Sequence, residues 1–188
     1  MKLEDFFKNK DAFTNFDVKY KSVAQIEKEE SESTKIDSNF FKLNLNSEIM
    51  DKLINYIRYE ILKEDYDNSL KILENYMVVK NIYLLWAYEY ELTSGGYEEF
   101  FYNRLFLKND EKNNKYIAET SEALYTITEE KLAKSLKNAY EKYLEEDCDL
   151  DDLDDEFYNS EVRFRDKLYK YIDQNKSKII EEVETNKC

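Results

Sequence analysis

Between Tyr76 and Leu92 only Lys80, Asn81, Glu89 and Glu91 are polar. The stretch is too long for one strand, and the whole chain contains no proline to break a helix. A helix that is apolar nearly all round belongs at the centre of a domain, wrapped by other helices. Turning 100° per residue places Lys80 and Glu91 on one side. Glu89 then falls almost opposite, among Val78, Ile82, Leu85 and Leu92. A carboxylate there needs hydrogen bonds or a cation, or it takes up a proton. Glu89 is read either as a functional acid or as a structural group bonded to a tyrosine or a helix N-terminus, and the structural role is expected.

The chain's two glycines are adjacent and follow this run, in "ELTSGGYEEFFYN". A helix ending at Ser94 leaves carbonyls without partners, and Gly95 in the left-handed conformation would satisfy them. A second helix then begins at once. Glu98 and Glu99 complement its dipole in the first turn, and Tyr97, Phe100, Phe101 and Leu105 make its apolar face. Any side chain at so sharp a corner would obstruct it. The glycine pair is also compatible with a phosphate cradle, but no Lys or Ser/Thr follows and two glutamates would repel an anion.

Further helices are readable on both sides. Ile49, Met50, Leu53, Ile54, Ile57, Ile61 and Leu62 form one stripe, capped by Asn46 or Ser47. A short helix is expected around Leu70 to Leu73. Tyr116, Ile117, Ala123, Leu124 and Ile127 suggest another. Leu132, Leu136, Ala139, Tyr140, Tyr143 and Leu144 follow a cap expected at Thr128. Phe164, Leu168, Tyr171 and Ile172 mark the last helix, with Ile179, Ile180 and Val183 as its continuation. "FFKLNLN", Phe40 to Asn46, is compatible with one short extended piece. The expected fold is all-α: one multi-helix domain over 47–188 with a buried central helix. Residues 1–46 are expected to form a partly mobile arm, with "LEDFF" and "AFTNF" as aromatic anchors and "EKEESESTK" as a solvated connection.

Composition removes several function classes. There is no histidine, so Ser-His-Asp and Cys-His machinery and most zinc sites are excluded. Cys148 and Cys188 lie far apart without a CxxC partner, which points to reduced thiols rather than a nucleophile. The net charge is −14, which disfavours nucleic acid and anionic membranes as ligands and favours a basic partner, a metal or simple solubility. "MKLEDFFKNKDAF" is charged throughout, unlike a signal peptide, and "IYLLWAY" is too short to span a bilayer. A cytoplasmic protein without cofactor is expected.

Glu91, Gly95, Gly96, Tyr97, Phe100, Phe101 and Asn103 together resemble the signature of a bacterial family: an acid, a Gly-Gly pair, an aromatic, an aromatic pair and Asn. "LDDEFY", Leu153 to Tyr158, is similar to the family's later element. The pattern spans roughly residues 47–175. It departs at Ser94, Tyr97 and Glu99, where the family usually has Asn, Phe and Gln. The family is the one named for the C-terminal domain of a bacterial DNA-mimic protein. The resemblance implies an acidic all-α protein, a possible homodimer, that binds a transcription regulator. Asn103 is compatible with ligand binding or with a tie at the helix corner.

The run "EEDCDLDDLDDE", Glu145 to Glu156, holds nine carboxylates and no cation. One reading is a solvated loop or helix end. A second is calcium binding through alternating Asp147, Asp149 and Asp151, although no Gly supplies the turn and the twelfth position is Tyr158 rather than Glu. The third is mimicry of a nucleic-acid backbone by Glu145, Glu146, Asp147, Asp149, Asp151, Asp152, Asp154, Asp155 and Glu156. Carboxylates three or four apart on a helix stand about 5–6 Å apart at Cβ, the same order as successive phosphates. Leu150 and Leu153 would anchor the array. The function expected is therefore a non-enzymatic interaction protein that occupies the basic site of a DNA-binding regulator or another nucleic-acid-binding protein. The alternatives are an immunity protein that neutralises a basic toxin and, ranked last, a carboxylate-metal hydrolase using Glu89 and Glu91.

Overall fold

The computed structural model describes residues 22–42, 47–105, 110–145 and 149–186. The expected N-terminal aromatic anchors, Glu146, Asp147 and both cysteines lie outside these residues, as do residues 43–46. The described chain is all-α: α1 (Val23–Ser33), α2 (Ser47–Tyr56), α3 (Ser69–Ile72), α4 (Met77–Arg104), α5 (Asp110–Thr126), α6 (Glu130–Leu144), α7 (Asp151–Tyr158) and α8 (Glu161–Thr185). A π-helical turn, Ile57–Ile61, extends α2, and Phe40–Lys42 is a 3₁₀ turn rather than an extended piece.

The central element is α4, which packs against α5, α6, α7 and α8. Val79, Ile82, Leu84, Leu85, Ala87, Tyr88 and Leu92 have no exposed surface. Each large side chain buried in this way contributes about 1.5–3 kcal/mol. The wrapping is incomplete on one side, because Tyr90 is 55% exposed and Trp86 only half-buried. The helix starts with no side-chain cap of its own. Instead Glu182, near the end of α8, accepts the Val78 N–H at 2.9 Å and the Val79 N–H at 3.1 Å. A carboxylate at this position both fills the orphan donors and complements the helix dipole.

Glu27–Ser33 falls within α1, which opens with a Ser22–Gln25 capping box. The helix is tied down through Tyr59, whose hydroxyl donates to Glu27 at 3.0 Å, and through buried Ser31, which donates to Glu60 at 3.3 Å. Just beyond it, Ile36 and Phe41 enter the core.

Thr128 does not cap α6. It adopts φ +59° and closes α5: its N–H reaches the Tyr125 carbonyl at 3.0 Å, and the Glu129 N–H reaches Leu124 at 2.9 Å. That bond pair is a Schellman ending, with threonine where glycine is usual. Glu129 becomes the N-cap residue of α6. Its carboxylate is 2% exposed, held bidentately by Arg163 at 3.0 Å and by Lys167 at 2.8 Å. Burial alone would raise the Glu129 carboxyl, but the two cations outweigh it and hold it below the usual range. A depressed folded-state pKa contributes stability above the unfolded value, lost as pH falls through the folded one. Glu129→Gln is therefore expected to cost about 1–2 kcal/mol in urea denaturation at neutral pH. The gap to the parent protein should narrow by about pH 3, below the ordinary glutamate range.

Candidate functional site

α4 is two rods joined at Gly95-Gly96. The left-handed residue is Gly96, not Gly95: Gly96 has φ +71° and ψ −161°, whereas Gly95 is near-extended at φ −170°. The Gly96 conformation is essentially restricted to glycine. The reason lies across the fold. A Cβ on Gly96 would stand 2.6 Å from Asp154 Cγ, and closer still to Oδ2. Asp154 needs that space because its Oδ1 accepts the Tyr97 N–H at 2.8 Å, capping the second rod. Tyr158 approaches from the same helix, α7, and donates its hydroxyl to the Leu92 carbonyl at 3.1 Å. An unbroken helix would pair that carbonyl with the Gly96 N–H.

The signature aromatics cluster on this corner. Tyr88 is surrounded by Tyr97, Phe100, Phe157 and Phe164 at centroid distances of 5.6–6.2 Å, and its hydroxyl lies 2.7 Å from that of Tyr97. Burial pushes the Tyr88 hydroxyl well above its ordinary pKa, so it stays protonated. Phe101 stacks on Tyr97. Glu91 is also structural. It meets Arg104 at 2.6 Å and accepts from Asn103 at 2.7 Å, and Asn103 bonds Glu99 as well at 2.8 Å. Glu89 is paired with a cation, Arg165, at 2.5 Å, not with a tyrosine or a helix N-terminus. Burial still raises its carboxyl pKa against the pull of Arg165.

The acidic run divides by role. Leu150 is buried and Leu153 packs on the core. Asp154 is taken up by the corner and Glu156 by the Ser135 hydroxyl. Burial, with Asp151, Asp155 and Glu98 nearby, raises the Asp154 carboxyl in spite of the Tyr97 bond. Glu145, Asp149, Asp151, Asp152 and Asp155 are exposed, the last three on α7. Lys142 holds the backbone of Asp149 at 2.7 Å. Among the described residues no group of three or more acids or cysteines is arranged to hold a metal ion, and no helix is long and apolar enough to cross a membrane.

Residues 78–175 match the family described as DMP19-like protein. The chain belongs to the DMP19-like protein family. The match starts inside α4, later than the residue 47 expected from the pattern, and takes in the corner, α7 and much of α8. The two elements that mark the resemblance, Gly-Gly-aromatic and Leu-Asp-Asp-x-Phe-Tyr, are thus the two sides of one contact. Comparisons with curated proteins and with solved structures gave no match. Two contacts were not evident from sequence: the pairing of Arg165 with Glu89 and the capping role of Asp154. The i,i+3,i+7 spacing of Leu150, Leu153 and Phe157 with Asp154 between them is the signal that turns Asp154 toward the body.

Gly96→Ala is expected to lower stability by about 3 kcal/mol or more, from the backbone conformation and the Asp154 contact together. Asp154→Ala should cost about 1 kcal/mol through the lost cap. Because the contact is shared, the double variant should cost less than the two losses added, which chemical denaturation of all four proteins would show.

Proposed function

We propose that this DMP19-like chain is a non-enzymatic interaction protein that presents Asp151, Asp152 and Asp155, flanked by Glu145 and Asp149, to the basic site of a nucleic-acid-binding protein. The observation that carries the reading is the anchoring of α7. Phe157 is fully buried, Leu150 nearly so, Asp154 caps a neighbouring rod and Tyr158 bonds Leu92. The exposed carboxylates therefore stand on a fixed support, and a partner does not have to order them on binding. Asp151 and Asp155 are one turn apart, and Asp152 and Asp155 three residues apart, so Cβ spacings are about 5–6 Å. Membership of the family of a DNA mimic protein supports the same role. A transcription regulator is the partner class this favours.

The test is affinity capture from the native cell, with the bound proteins identified. The parent protein should retain a basic nucleic-acid-binding protein at low salt and release it toward about 1 M, where screening shortens to about 3 Å. The variant carrying Asp151→Lys, Asp152→Lys and Asp155→Lys should lose it. A neutral variant with Asn at the same three positions should bind at an intermediate level. Equal capture by all three proteins would remove this surface from consideration.

A further inference from the structure

The side of α4 left uncovered among the described residues carries a ladder of rings. Trp86 and Tyr90 are stacked, with centroids 5.4 Å apart and planes inclined by 26°, and Tyr83 continues the ladder at 6.1 Å. Two cavities meet there, of about 370 Å³ and 500 Å³, and Asp51, Trp86 and Tyr90 line both. Three arginines stand in their walls, and each is already answered by a glutamate. Arg58 meets Glu27 at 3.6 Å, Arg104 meets Glu91 at 2.6 Å, and Arg165 meets Glu89 at 2.5 Å.

Asp51 is different. Among the described residues no cation pairs with its carboxylate and no donor bonds to it, and the adjacent Lys52 is engaged by Glu48 at 2.7 Å. Partial burial and the nearby Glu27 push its carboxyl up, the mark of an anion lacking a counter-charge. The unanswered charge of the groove is thus negative and lies beside two stacked π-faces. Trp86 already receives one guanidinium, that of Arg104, at 5.9 Å from the ring centroid. Tyr90 still offers exposed ring surface.

We propose that this groove receives an arginine side chain of a partner protein, its guanidinium stacked on the Trp86–Tyr90 pair and ion-paired with Asp51. Arginine is favoured over lysine because a planar, weakly hydrated cation can stack and bond in the same plane. The site is separate from the acidic face of α7 and does not depend on it, so either can fail without the other.

Trp86 is the only tryptophan of the chain, so its indole N–H gives a single, unambiguous NMR signal from inside the groove. The full-length protein, labelled with nitrogen-15, would be titrated near physiological ionic strength with the peptide acetyl-Gly-Arg-Gly-Arg-Gly-amide and with its lysine counterpart. A saturable shift of the indole signal is expected, with weaker binding of the lysine peptide. Asp51→Asn and Tyr90→Ala should each weaken arginine-peptide binding about three- to fivefold. Both positions are exposed, and unchanged far-UV circular dichroism would confirm that the variants fold. The Asn variant at 151, 152 and 155 should titrate like the parent. The proposal is overturned if the shift does not saturate, if Asp51→Asn titrates like the parent, or if the Asn variant at 151, 152 and 155 abolishes the shift. It is also overturned if the signal moves with protein concentration alone, which would assign the groove to a second copy of the chain.

Discussion

The Asp154 carboxylate and the missing side chain of Gly96 occupy the same place, and the rest of the domain is arranged around that exchange. A Cβ at 96 and a carboxylate capping Tyr97 are mutually exclusive. The left-handed backbone at Gly96 is a conformation that costs any other residue about 1–3 kcal/mol. Glycine removes both obstacles at once. The helix can then break without leaving its new N-terminus unsatisfied. The break redirects the chain so that Phe100 and Phe101 join the aromatic cluster on Tyr88 rather than continuing along a straight rod.

The same device recurs at the other end of α4. Neither of its rods is capped by a local side chain. Glu182 serves the first and Asp154 the second, from 104 and 57 residues away. A local Ser or Asp cap stabilises a helix whether or not the domain has formed. A distant carboxylate does so only once α7 and α8 are docked, so helix formation here is tied to tertiary assembly. The ion pairs of the buried glutamates act alike. Glu91, Glu89 and Glu129 join α4 to its own second rod, α4 to α8, and α6 to α8, respectively. In an acidic chain these arginines and lysines are engaged by buried glutamates of the fold. The excess negative charge is left on the outside.

Periodicity made the helices legible, because Leu132, Leu136, Ala139 and Tyr140 or Phe164, Leu168 and Ile172 repeat at the helical spacing and are buried as that spacing requires. The corner was legible too, since only glycine explains two adjacent residues without side chains between apolar runs. What escaped was pairing at a distance. Nothing near Thr128 announces that it ends α5 instead of starting α6. Its positive φ accompanies the pairing of Glu129 with Arg163 and Lys167, on a helix more than thirty residues later. Nor does local pattern show that the described residues leave α4 uncovered at Trp86 and Tyr90. Two aromatic residues within an apolar run read as core, and only the packing of α1 and α2 beside them leaves a groove.

The acidic run shows why composition alone under-describes a charged surface. A floppy chain of nine carboxylates would attract cations without preferring any geometry, and ordering it on binding would cost conformational entropy for every residue fixed. Here Asp154 and Glu156 are half-buried, bonded to the Tyr97 N–H and the Ser135 hydroxyl, and hold α7 to the body. These bonds give Asp151, Asp152 and Asp155 defined positions relative to one another. Mutual repulsion among the outer three is tolerated because the buried faces of Leu150 and Phe157 hold the helix against it. A partner whose cations match that spacing gains by relieving the repulsion, whereas a partner with diffuse charge gains less. In the proposed role, the selectivity of such a surface depends on the residues that do not face the partner.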